Sequence, residues 1–145
     1  MYRHILIPTD GSSLSEEAIK HGVGLARSLN AKVTAVTVSP TFHTFAMDPV
    51  MVTETPKRHE EDCRVRAEQY LAVARNAARA AGVSYDEASV VHDHPYQAII
   101  DTASKRNCDL IFMASHGRRG MSALVLGSET TKVLTHSKIP TLVCR

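Results

Sequence analysis

Cysteine is scarce in this chain. Cys63, Cys108 and Cys144 are far apart and odd in number, and no Cys-x-x-Cys pair or Cys/His ligand spacing occurs. This pattern points to neither a disulfide framework nor a zinc site and leaves buried or part-buried thiols as the expected state. An excess of one charge is also lacking: 17 Lys and Arg against 15 Asp and Glu give +2 with the histidines neutral. So small a balance gives no reason to expect nucleic-acid or membrane binding by bulk electrostatics. No apolar run approaches the roughly 18 residues needed to span a bilayer. The start, MYRHILIPTDG, is too short in its apolar part for a signal-peptide core and lacks a small-residue cleavage pattern, so a cytoplasmic protein is expected. Internal repeats and low-complexity stretches are absent. With 145 residues, 43% hydrophobic and 22% charged, the sequence reads as one domain, residues 1–145, able to bury a real core.

Glycine is sparse as well, which makes its placement informative. The chain has 7 glycines, and Gly117, Gly120 and Gly127 fall between the apolar run DLIFMA and the helix-like run ETTKVL. Arg118 and Arg119 sit inside that stretch.

The rest of the chain alternates in period. RHILIP is a strand, punctuated by TDGSS. Leu14, Ala18, Gly22, Leu25, Ala26 and Leu29 then fall at helical spacing. Ser13, with Glu16 three residues on, reads as a capping box at the start of that helix. AKVTAVTVS is a β-branched strand. The long connection PTFHTFAMDPVMVTETP follows; the apolar residues between Phe42 and Val52 suggest a lid over a ligand or a partner surface. A long helix is predicted from Lys57 to Ala81, with Val65, Tyr70, Leu71, Ala74, Ala77, Ala78 and Ala81 on its inner face and Gly82 ending it. The mixed charges from Lys57 to Asp62 read as its solvated start. YDEASVVH holds a strand, Pro95 fits the first turn of a helix through Ile99, Ile100 and Ala103, DLIFMAS is a strand, Ser128 can cap a last helix, and IPTLVCR is a terminal strand. The order βαβαβαβαβ implies a parallel sheet with helices on both faces. In such sheets ligands lie at the carboxyl ends of strands, where the strand order reverses. This points to Thr9-Asp10-Gly11, Val38-Ser39, His92-Asp93-His94 and Ser115 to Gly120.

The glycine stretch can carry anion chemistry. A helix N-terminus offers unpaired N–H groups and a partial positive charge, and glycines let backbone amides approach a phosphate. Ser128 adds a hydroxyl, and Arg118 or Arg119 a guanidinium. A carboxylate at Asp10 could accept from an amine or a ribose hydroxyl, with adenine lying between the edges of the first two strands. An ordinary turn with solvated arginines explains the same stretch. Gly117-Arg-Arg-Gly120 also matches the basic loop of KH RNA-binding modules, but it follows a buried strand rather than joining two helices. Neither a Walker A loop nor the dinucleotide-binding Gly-x-Gly-x-x-Gly is present, and no Gly-x-Ser-x-Gly elbow occurs. Asp10 could simply begin a helix, Ser12 and Ser13 read as caps rather than nucleophiles, His92-Asp93-His94 reads as a solvated turn rather than a metal site, and a base at His116 has no partner visible in the sequence. A phosphorylated receiver domain shares the element order but needs an acidic pair after the first strand, where PTDGS offers one acid.

ILIPTDGS, VTAVTVS and DLIFMASHGRRGMSALVLGSETTKVLTHSKIPTLVCR together resemble the universal stress protein family over nearly the whole chain. The C-terminal segment is similar to the motif of its ATP-binding branch: a glycine, two residues, a glycine, nine residues, then Gly-Ser or Gly-Thr. Gly117 and Gly127-Ser128 match that motif, and Ala114 stands where its first glycine belongs. The resemblance implies an open five-stranded parallel sheet of order 3-2-1-4-5, of the adenine nucleotide alpha hydrolase-like, Rossmann-like kind. It implies binding of ATP, or of AMP or ADP, with Mg2+ on the phosphates, in a regulatory stress-response protein. Slow ATP hydrolysis or phosphotransfer, or action through protein contacts without nucleotide, are the alternatives. By position Pro8 and Thr9 would line the adenine pocket, Asp10 would contact the adenosine part, and the Val38 backbone would hydrogen-bond the adenine edge. Gly117, Gly127 and Ser128, with the amides of Glu129 and Thr130, would hold ribose and phosphates. Arg118 is added here as a phosphate partner on its charge. Ala114 is expected to cost affinity: much if the position needs a positive φ, little if it needs only space. The resemblance also implies a homodimer through the last strand, Thr141, Leu142, Val143 and Cys144.

Overall fold

A computed structural model of the chain describes residues 1–42, 55–118 and 125–145. It contains β1 (His4–Pro8), α1 (Ser13–Leu29), β2 (Lys32–Ser39), α2 (Pro56–Ala81), β3 (Tyr85–Val91), α3 (Pro95–Lys105), β4 (Leu110–Ala114), α4 (Ser128–His136) and β5 (Thr141–Cys144). The five strands are parallel and lie in the order β3-β2-β1-β4-β5. Both the architecture and the order agree with the expectation. None of the described helices is long and apolar enough to cross a membrane.

Successive strand residues point to opposite faces, and each face here carries a pair of helices. Ile5, Ile7, Leu110 and Phe112 pack with Ala18, Ile19, Val23 and Ala26 of α1 and Leu71, Ala74 and Ala78 of α2. Leu6, Ile111 and Met113 point the other way, against Ile99 and Ala103 of α3 and Val133 of α4. A strand covered on both sides has no polar face to show, which is why β1 and β4 read as unbroken apolar runs. All of β4 is buried.

The element starts differ in detail from the sequence reading. Ser12, not Ser13, caps α1: its hydroxyl accepts the Ser15 N–H at 3.2 Å, and Ser13 is the first helical residue. Gly127, not Ser128, occupies the cap position of α4, without a side-chain bond, and Ser128 opens the helix. On α2, Val65 is 43% exposed while Ala67 at 5% takes the inward place. Cys108 is buried, which pushes its thiol up to about 11. The predicted lid from Phe42 to Val52 lies outside the described residues except for Phe42, whose ring meets His59 edge-on at 5.6 Å.

From β1 the chain builds outward through β2 to β3, then crosses to β4 on the other side of β1 and continues to β5. The carboxyl ends of β1 and β4 therefore diverge at a switch point, where an open α/β sheet leaves a crevice.

Candidate functional site at the carboxyl end of the sheet

The turn after β1 forms one lip of this crevice. Asp10 Oδ1 accepts the Ser12 N–H at 3.0 Å, which bends the chain into α1. Its other oxygen, Oδ2, accepts the Arg118 N–H at 2.8 Å, across 108 residues of sequence. The carboxylate thus ties the loop after β4 to the loop after β1. Burial pushes its pKa up, but hydrogen bonds from Ser12, Arg118 and Ser15 outweigh that and hold it below the usual aspartate range. Gly11 has φ 76 and lies under the Tyr70 ring of α2, so a side chain there is excluded by conformation and by space. Thr9 Oγ1 lies 3.1 Å from the hydroxyl of Ser15.

Residues 115–118 after β4 and the start of α4 form the opposite lip. The Gly127 N–H donates to Ser115 O at 2.8 Å, joining the start of α4 to the end of β4. A Cβ on Gly127 would stand 3.2 Å from that oxygen and 3.3 Å from the His116 Cα, and a Cβ on Gly117 would strike the Asp10 carboxylate. A side chain at Gly127 would press on the backbone of Ser115 and His116, and one at Gly117 would displace the Asp10 carboxylate. Thr130 Oγ1 donates to Ala114 O at 3.0 Å, which seats α4 on the end of β4. The α4 ladder begins where the Thr131 N–H meets Gly127 O at 2.9 Å, so the amides of Ser128, Glu129 and Thr130 lie outside it and give that end its partial positive charge.

Ala114 keeps an extended strand backbone paired with Cys144, and its φ is not positive. The strain half of the expectation for this residue does not apply; only its methyl group, on the wall of the crevice, remains to be accommodated.

Two adjoining hollows occupy the crevice. The inner one, about 150 Å³, is lined by Pro8, Thr9, Asp10, Val38, Ala114, Gly117, Glu129 and Thr130 among others. The outer one, about 420 Å³, adds Arg118, Gly127 and Ser128. All eleven residues singled out from the sequence border one or the other. The sequence reading did not assign Val36, Met113, Ile99, Pro95 and Ser15 to the inner hollow, or Pro40 to the outer; His92 and Asp93, which it pointed to as a strand-end loop and read as a solvated turn, also border the outer one. Val36 and Met113 lie in strands already legible as such, so counting outward to the strand ends would have found them. Ile99 comes from a helix, which no local pattern assigns to the crevice.

Two side chains are used differently from their expected roles. The Arg118 guanidinium stacks on the Tyr70 ring, 4.9 Å from its centre, and donates to the Tyr70 hydroxyl. Glu129, expected to contribute its amide, also extends its carboxylate to α3 and accepts the Tyr96 N–H at 2.8 Å. His116 is 8% exposed; its Nδ1 lies 2.9 Å from Ser115 Oγ, and its Nε2 is buried without a hydrogen-bond partner among the described residues. His92 Nδ1 accepts the His94 N–H at 2.9 Å, and Asp93 accepts from the Thr41 hydroxyl, as befits a turn. No group of three or more His, Cys, Asp or Glu among the described residues is placed to hold a metal ion.

The family model described as the universal stress protein family matches residues 1–145. The chain belongs to the universal stress protein family. A universal stress protein of Methanocaldococcus jannaschii is 30% identical, over 100% of this chain and 83% of its own length. The hypothetical protein MJ0577, the subject of a structure-based assignment of biochemical function, superposes with a TM-score of 0.82 at 25% identity, covering 99% of this chain and 95% of that one. Two further structures share the fold. A universal stress protein in complex with cAMP has a TM-score of 0.68 at 24% identity and covers 99% and 97% of the two chains. One from Archaeoglobus fulgidus in complex with dAMP has a TM-score of 0.72 at 18% identity and covers 99% and 98%.

Proposed function

We propose that this member of the family binds an adenine nucleotide in the crevice and acts as a regulatory stress-response protein whose surface responds to the ligand. One observation carries the reading. The inner hollow is floored by apolar side chains at the ends of β1, β2 and β4, namely Pro8, Val36, Val38 and Met113, and it opens directly onto the start of α4. A flat apolar base fits the first part and an anionic tail the second. Relatives of the same fold hold cAMP and dAMP, which agrees with this division of the site. In the proposed complex the Val38 backbone meets the adenine edge, Pro8 and Thr9 flank the base, and Asp10 faces the ribose. Gly117, Gly127, Ser128 and the amides of Glu129 and Thr130 surround the phosphate. A divalent ion such as Mg2+ enters with the phosphates of ATP rather than on a cluster of protein ligands.

The proposal includes a homodimer through Thr141–Cys144. Among the described strands β5 is an edge strand paired only with β4, and Leu142 on it is 41% exposed. The ligand test is direct. Heat-denatured purified protein should release AMP, ADP or ATP, identified by mass spectrometry. If the protein releases nothing and gives no heat on titration with any adenine nucleotide, the reading is wrong.

A further inference from the structure

Glu129 places a negative charge where the proposed ligand brings its own. The residue is second in α4, and its carboxylate crosses to the start of α3, where Oε2 accepts the Tyr96 N–H at 2.8 Å. Oε1 lies 3.4 Å from Lys132 Nζ, and the residue borders both the inner and the outer hollow. For the fold this is favourable, since one carboxylate serves two helix starts, each with a partial positive charge. For a phosphate tail it is a cost. Asp93 adds a second acid to the outer hollow. Among the described residues, the two cations beside the site have other partners: the Arg118 guanidinium is on Tyr70, and Lys132 is on Glu129 and 5.6 Å from the centre of the Tyr96 ring.

We propose that Glu129 limits the charge of the ligand's tail, so that the crevice takes an adenosine monophosphate in preference to a metal-free triphosphate. The inference rests on the adenine-nucleotide reading above. A monophosphate ester brings about two negative charges at neutral pH, a triphosphate more, and adenosine none. Repulsion from a fixed carboxylate grows with each added charge, and in a part-buried crevice it is screened less than in bulk water. The Glu129 side chain is 35% exposed, so its field at the tail is only partly screened.

The experiment is isothermal titration of adenosine, AMP and ATP, in EDTA at moderate salt, into the wild type and Glu129→Gln. The glutamine carbonyl can still accept the Tyr96 N–H, so the helix junction is retained. The wild type should bind AMP more tightly than ATP, and added Mg2+ should narrow the gap. Glu129→Gln should tighten ATP about tenfold, AMP less, and adenosine not at all. Lys132→Gln, which removes the charge partner of Glu129, should weaken ATP several-fold and leave adenosine unchanged. An equal factor on all three ligands, or no change with ATP in either variant, overturns the role of Glu129 while leaving adenine binding intact. Silence of the wild type towards adenosine, AMP and ATP alike overturns the adenine-nucleotide reading, and this inference with it.

Discussion

The two ends of the sheet handle polar groups differently. At the amino ends the chain pairs them with one another. Asp109 accepts the N–H groups of Arg3 and His4, at 2.9 and 3.0 Å for the closer bonds. His4 Nε2 lies 2.7 Å from the Thr34 hydroxyl, and Asp86 pairs with both Arg106 and Lys32. At the carboxyl ends backbone amides at the start of α4 lie outside the helix ladder, His116 Nε2 is buried without a partner among the described residues, and Gly117 and Gly127 allow close approaches beside a hollow. The amino rim satisfies its polar groups within the fold, and the carboxyl rim, on the reading proposed above, keeps groups for a ligand.

That contrast can be broken from either side. The largest effect is expected at the amino rim. Asp109→Ala removes the acceptor of two backbone N–H groups and should cost about 2 kcal/mol in urea unfolding while nucleotide affinity stays unchanged. At the other rim, Gly127→Val should do the reverse. Its φ of −60 is open to any residue, so the fold persists. The added side chain displaces Ser115 and the start of α4, and nucleotide affinity should fall at least about tenfold, or 1.4 kcal/mol, by calorimetry. Equal binding by wild type and variant would remove the proposed cradle.

The pH dependence sharpens the comparison. Asp10 has a pKa depressed in the folded state, so its contribution to stability is fully present above the unfolded aspartate value. It is lost as pH falls through the folded value. Urea midpoints measured downward from pH 7 should therefore drop more steeply in the wild type below the ordinary aspartate range than in Asp10→Asn. Parallel curves would show that Asp10 does not tie the two loops together. The smallest effect belongs to Ala114→Gly. Because the alanine already has an extended backbone, restoring the motif glycine should change affinity by no more than about threefold and cost about 0.5–1 kcal/mol of stability through added chain freedom.

Much of this could be read from the chain. Ile5-Leu6-Ile7 and Leu110 to Met113 are unbroken apolar runs because both sheet faces are covered, and that pattern, with glycine and proline between elements, gave the architecture. The crevice was legible because ligands of open sheets gather where strand order reverses, and strand ends can be counted along the sequence. The caps were not, because Ser12, Ser13 and Ser15 can all accept an amide, and only the path of the chain chooses among them. The same holds for Gly127 and Ser128. The links between distant elements were also hidden: Asp10 to Arg118, Tyr70 over Gly11, and Glu129 to Tyr96. Such contacts have no period and no fixed spacing, so a reading of local pattern cannot find them.

The most direct test of the contrast between the rims is an amide NMR titration of the protein with AMP. Shifts should concentrate at Val38, Gly117, Gly127, Ser128, Glu129 and Thr130, while Arg3, His4, Lys32 and Asp109 stay in place. Shifts centred on the amino rim, or none at saturating AMP, would contradict the account.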